Sequence, residues 1–207
     1  PEQCGELHFN DLEVPSGVYS GQRPSASRVS WSAMSGHIMP RSRTAHKGDF
    51  GHLLVIGGAP GYSGAVRMAA EAAARSGVGL VSVATSPEHA ALLNLVRPEL
   101  MCHGVDGPPQ LLPLLKKVDL VAIGPGLGQS DWSLGLLGCV LDTRLPLVLD
   151  ADALNLLAFD PIQRDNWILT PHPGEAARLL GCTTGEIQAD RFQSVRRLQQ
   201  RFDGVVV

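Results

Sequence analysis

The sequence predicts an α/β fold, a mostly parallel sheet with helices on both faces. The candidate strands are continuously apolar rather than alternating, as strands covered on two sides are. Helical stretches separate them, which supplies the crossovers that parallel neighbours need. The chain has 207 residues, 44% of them hydrophobic and 18% charged, so it can bury a real core.

From His52 the elements follow in order. His52-Leu53-Leu54-Val55-Ile56 is an apolar run closed by Gly57-Gly58. Ser63 to Ser76 is Ala-rich and helical, and Gly77 ends it. Leu80 to Thr85 is the next strand. Ser86-Pro87-Glu88 then offers a cap, a first-turn proline and an early acid for a helix reaching about Val96. Asp119 to Ile123 is a third strand, followed by Gly124-Pro125-Gly126-Leu127-Gly128. Ser130 and Asp131 open a helix. Leu147 to Asp150 is a fourth strand, and Asp152 reads as the cap of a short helix after it. Trp167 to Thr170 is a fifth strand, with Pro173 and Glu175 starting the next helix. Ile187, Phe192, Val195, Leu198 and Phe202 fall on one face of a last amphipathic helix.

Composition excludes several functions. Seventeen basic against twenty acidic residues, without a long basic run, argues against non-specific nucleic-acid binding. No apolar run approaches the ~20 residues of a membrane-spanning helix. Cys4, Cys102, Cys139 and Cys182 form no Cys-x-x-Cys pair, which reads as reduced, mostly buried thiols, a cytoplasmic setting and no metal site.

Residues 1 to about 45 differ from the rest: proline- and serine-rich, weakly periodic, with a short amphipathic turn around Ser30 to Met34. They read as the remainder of a preceding domain and a linker. At the other end, Asp203-Gly204 and Val205-Val206-Val207 read as a turn and a buried strand that should lead onward. Both termini are therefore expected to be fragment ends.

Ligands in open parallel sheets bind beyond the carboxyl ends of the strands. Four strands here end in unusual loops. Gly57 to Ala65 could let a backbone approach a phosphate, or serve only turn geometry and close helix packing. Its spacing fits neither the dinucleotide fingerprint nor a P-loop. Gly124 to Gly128 sets a tight path on which a flat ligand could lie. Asp150 and Asp152 could pair as acid and base or hold a metal; the plainer reading is a helix cap and a loop bond. His172 stands between Pro171 and Pro173 in a stiff segment, able to bond a ligand hydroxyl, amide or phosphate. Lys47-Gly48-Asp49 could order the entry to the site, or belong to a solvated charge cluster.

Taken together, these segments resemble the ADP- or ATP-dependent NAD(P)H-hydrate dehydratase family. The matching stretches are His46 to His52, Gly57 to Ala69, Ala73 to Val81, Arg97 to Met101, Gly124 to Gly128, Asp150 to Asn155 and Thr170 to Glu175. The resemblance implies a ribokinase-like fold for residues 46–207. Residues 1–22 look like the tail of an NAD(P)H-hydrate epimerase domain, with a last strand from Cys4-Gly5 to Val14-Pro15 and an exit at Val18-Tyr19. Residues 23–45 would then be the linker.

The implied activity is repair of hydrated NADH and NADPH. A nucleotide, ADP or ATP with magnesium, phosphorylates the added hydroxyl, and elimination of phosphate restores the ring. Ala65, Gly128 and His172 match the family's contacts to the hydrated dinucleotide. The resemblance also implies a cytoplasmic homo-oligomer. The family's Lys-Gly-x-x-Thr stretch and the Gly-x-Gly-Asp that carries its catalytic Asp do not occur in residues 1–207, so this polypeptide is expected to be inactive alone. Two other functions share the same features: a ribokinase-like small-molecule kinase, whose phosphorylated product would be stable, and a non-catalytic dinucleotide-binding module.

Overall fold

The computed structural model describes Gly5, His8 and residues 10–207. The chain divides into two compact units, Pro1–Arg43 and Thr44–Val207. In the first, the expected strand between Cys4 and Pro15 is not found among its described residues. Cys4 itself, with residues 6, 7 and 9, lies outside them. Leu12 and Glu13 instead take left-handed conformations, with φ of 54° and 58°. The expected exit at Val18-Tyr19 falls inside helix α1 (Ser16–Ser20). Helix α2 (Trp31–Met34) is one turn, and the Ser30 hydroxyl at its start accepts a bond from the Ala33 amide.

The second unit holds a seven-stranded, all-parallel sheet. In chain order the strands are β1 (His52–Ile56), β2 (Leu80–Thr85), β3 (Met101–Gly104), β4 (Leu120–Ile123), β5 (Leu147–Leu149), β6 (Trp167–Leu169) and β7 (Val205–Val206); in space they run β3-β2-β1-β4-β5-β6-β7. The helices between them are α3 (Ser63–Ser76), α4 (Pro87–Val96), α5 (Pro108–Leu115), α6 (Asp131–Leu141), α7 (Ala151–Leu157), α8 (Pro173–Leu180), α9 (Thr184–Ala189) and α10 (Arg191–Phe202).

Alternation along β1 creates two cores. Leu53 and Val55 point into one cluster with Val66 and Ala70 of α3 and Leu93 of α4. Leu54 and Ile56 point into a larger one with residues of α5 to α10. The period of two along the strand thus puts helices on both faces.

Two expectations change. Sequence reading joined Ile187 to Phe202 in one helix, but a break at Asp190 separates α9 from α10, because its carboxylate caps α10 through the Gln193 amide. Ser194, Leu198 and Phe202, spaced by four, form the buried stripe of α10, while Phe192 and Val195 are exposed. The three described cysteines are half-buried free thiols, and burial raises the pKa of Cys102 and Cys139.

Polar pins hold the amino edge of the sheet. The Arg164 guanidinium donates to the carbonyls of Leu141, Thr143 and Leu145 and to Asn166 Oδ1. His52 donates from Nδ1 to the Lys117 carbonyl at 3.0 Å and accepts the Ser82 hydroxyl at Nε2. On the helical layer, Glu71 receives Arg67 Nε at 2.7 Å and Arg97 Nη2 at 3.0 Å. Arg97 first, then Arg67, lowers the Glu71 pKa from 4.5 to about 2. A depressed carboxyl contributes stability above its unfolded value and loses it as pH falls through the folded one. Acid unfolding is therefore expected to steepen between pH 4.5 and 2. Urea midpoints across that range should converge between the wild type and Glu71→Gln; a constant gap would remove this role.

Candidate functional site

All strands run parallel, so the four unusual loops share the carboxyl edge. The strand order reverses between β1 and β4, and the crevice at such a switch point is where open α/β sheets bind ligands. The loops after these two strands are laced together there. The Gly58 amide donates to the Pro125 carbonyl at 3.1 Å and the Ala59 amide to the Gly126 carbonyl at 2.7 Å. The Gly58 carbonyl in turn accepts Thr85 Oγ1 and His89 Nδ1.

Gly124 shows why this loop tolerates no side chain. Its φ is +131°, and a Cβ there would overlap the carbonyl oxygen of Asp150 and sit 3.1 Å from Ala153 Cβ. The close approach lets the loop lie directly on the start of α7. A Cβ on Gly126 would come within 3.3 Å of Ala65 Cβ, which places Ala65, in the first turn of α3, against this loop.

Asp150 and Asp152 do not work as a pair. Asp150 occupies the capping position of α7, but its Oδ1 accepts the Thr170 hydroxyl at 2.8 Å and caps nothing. Asp152 is inside the helix rather than its cap. Its Oδ2 accepts the Gly128 amide at 2.9 Å, and its Oδ1 accepts from Gln129 and Asn155 at 3.4 Å each. Between them Ala151 sits at φ +47°, a left-handed conformation costly for a residue with a Cβ. Bonds on both sides hold it there. The carboxylates thus tie the β4, β5 and β6 loops to one another.

Gly128 has φ +73° and lines a cleft of about 440 Å³ with Ala59, Pro60, Ser86, Asp106, Ser130 and Trp132 among its walls. Ala65 and His172 lie on the same edge but outside that lining. His172 is the N-cap of α8. Its Nδ1 accepts the Gly174 amide at 3.0 Å, and its Nε2 donates to the buried Glu175 at 2.9 Å. Glu175 returns the contact by accepting the His172 amide at 2.9 Å. The capping box fills both ring nitrogens, so the imidazole is less available to a ligand than its stiff setting suggests.

Lys47, Gly48 and Asp49 are not at this site. They form a 3₁₀ turn before β1, at the opposite edge, where the Phe50 and Gly51 carbonyls receive the Gly79 and Leu80 amides. The chain enters β1 from its amino end, which fixes their place. Sequence reading missed β3 and α5, and with them the wall around Val105 and Asp106, whose Val105 carbonyl accepts the Trp132 indole N–H at 2.9 Å. The signal was length: more than twenty residues between Val96 and Asp119 is too long for a plain loop.

Among the described residues, no three His, Cys, Asp or Glu side chains converge to hold a metal ion. No magnesium ligand is therefore assigned to these residues. No helix among them is long and apolar enough to cross a membrane.

Comparison with known proteins adds to this geometry. Residues 53–207 match the family model described as NAD(P)H-hydrate dehydratase. A bifunctional NAD(P)H-hydrate repair enzyme of Coxiella burnetii is 53% identical over 207 residues, all of this chain and 42% of that protein. The chain thus spans about two fifths of that relative's length. A ribokinase-like superfamily protein from Enterococcus faecalis has a TM-score of 0.78 at 27% identity, over 86% of this chain and 64% of that one. An ADP/ATP-dependent NAD(P)H-hydrate dehydratase from Bacillus subtilis, co-crystallised with ATP and Mg²⁺, has a TM-score of 0.68 at 28% identity, over 82% of this chain and 61% of that one.

Proposed function

Because this chain belongs to the NAD(P)H-hydrate dehydratase family, we propose that its carboxyl edge binds hydrated NADH or NADPH for nucleotide-dependent dehydration. The observation that carries this reading is the lacing of the Gly57–Ala65 and Gly124–Gly128 loops at the β1/β4 switch point, beside an open cleft.

In this reading the three expected contacts play distinct parts. The Gly128 amide is spent on Asp152, so Gly128 meets the ligand with its bare Cα and its carbonyl. Ala65 supplies a small surface where α3 begins. His172 offers its ring face unless the Glu175 bond opens. ADP or ATP is the phosphoryl donor in this reading, as the name of the Bacillus subtilis neighbour suggests. Transfer to the added hydroxyl turns a poor leaving group into a phosphate, and its loss with a ring proton restores the double bond. Such a transfer depends on positioning and electrostatics more than on covalent help from the protein.

Residues 1–22 are, in this proposal, the end of an epimerase domain and 23–45 a linker. The Coxiella burnetii alignment over all 207 residues supports that reading, whereas the family match starts at residue 53. The full reading is of a cytoplasmic homo-oligomer acting on a free dinucleotide, with neither nucleic acid nor membrane as partner.

Titrating the 207-residue chain with hydrated NADPH tests the proposal. Binding is expected, and Asp152→Ala, which frees the Gly128 amide, should weaken it about tenfold. With ADP added, no recovery of NADPH absorbance is expected, because residues 1–207 carry neither Lys-Gly-x-x-Thr nor Gly-x-Gly-Asp. Absence of binding would overturn the site; turnover would overturn the predicted inactivity.

A further inference from the structure

A second cleft adjoins the one over Gly128. It measures about 350 Å³ and is lined by Gln129, Asn155, Ala158, Phe159 and Arg178. Gln129 borders both clefts, so a ligand longer than a mononucleotide could lie across it. The only formal charge in the lining is the Arg178 guanidinium. Its Nη1 donates to Asn155 Oδ1 at 2.8 Å, and among the described residues its Nη2 and Nε bond to no side chain or carbonyl. Phe159, in the same lining, is 78% exposed.

The guanidinium is also aimed. Asn155, which holds it, is itself held by Asp152, which bonds the Gly128 amide. A chain of hydrogen bonds, with a longer 3.4 Å link between Asn155 and Asp152, therefore connects Arg178 to the Gly128 loop. A planar fork of free N–H donors suits a phosphate monoester, and the exposed aromatic face of Phe159 suits a purine. A diphosphate would fit the other cleft better, where α6 starts at Ser130-Asp131 and offers free amides. The second cleft has no helix start in its lining.

We propose that the cleft between Gln129, Asn155, Phe159 and Arg178 holds the adenosine end of the hydrated dinucleotide, with Arg178 gripping its 2′-phosphate. This rests on the dinucleotide reading above and adds a preference to it: the hydrate of NADPH over that of NADH, which differ only in that phosphate.

Calorimetric titration of the 207-residue chain with both hydrates and with 2′,5′-ADP tests it. The NADPH hydrate should bind at least about tenfold more tightly than the NADH hydrate. Arg178→Met should abolish that difference, leave the NADH hydrate unchanged, and prevent 2′,5′-ADP from competing. Phe159→Ala should weaken both hydrates by the same factor. Unfolding midpoints should match the wild type, since both side chains are exposed. Equal affinities in the wild type, or a preference that survives Arg178→Met, would overturn this inference while leaving the dinucleotide reading intact. Failure of both hydrates to bind would overturn both.

Discussion

Gly124→Ala is expected to cost about 3 kcal/mol or more of stability and to abolish ligand binding. The added methyl meets backbone, not a flexible side chain: the Asp150 carbonyl oxygen, with its carbon 2.7 Å away. Relief would require moving either the β4 loop or the start of α7. Both are fixed, since the Leu127 amide bonds the Gly124 carbonyl at 3.0 Å and the Asp150 amide bonds the Ile123 carbonyl at 3.1 Å. The φ of +131° adds a conformational penalty that no side chain escapes. Urea unfolding and hydrate titration of the same variant check both halves. A variant of wild-type stability would show that the β4 loop and α7 yield more easily than this packing allows.

Trp167→Ala should be comparably severe, at about 3–5 kcal/mol. Trp167 is 2% exposed and belongs to the larger core cluster. Its indole N–H donates to the carbonyls of Phe202 and Asp203 at 3.2 and 3.3 Å, which ties β6 to the end of α10. Gly204 packs directly against the same ring. Trp167→Phe keeps most of the volume and removes only the donor, so a loss of about 1 kcal/mol is expected. If the two variants lose equally, the hydrogen bonds outweigh the packing. Chemical unfolding curves separate these cases.

The legible part of the fold was the part with strong local signals. β1, β2 and β4 are predominantly apolar, β-branched-rich runs that end in glycine or before a helix start, and each is readable from its own residues. β3 was not, because Met-Cys-His-Gly at a sheet edge carries neither a buried run nor an alternation. α5 was hidden by Pro108, Pro109 and Pro113, residues more often read as breaks. The edge on which the loops gather followed from the parallel order alone. The roles of Asp150 and Asp152 did not, since a helix start offers a carboxylate several partners and only the fold brings Thr170 and Gly128 within reach. The filled imidazole of His172 was similarly invisible, although Glu175 three residues later is the usual partner of such a cap. Arg178 and Phe159 carry no sequence pattern at all.

The switch point is also a seam between two stretches of chain. β1, β2 and β3 with α3 and α4 are consecutive, while Leu53 meets Leu120 only after the chain has travelled around them. Closing that pair carries a somewhat larger loop-entropy cost than closing neighbouring strands. The lacing of Gly58 to Pro125 and of Ala59 to Gly126 can form only once it has closed. A refolding chain should therefore regain helical circular dichroism before it regains affinity for a dinucleotide, and the delay between them times the joining of the two halves.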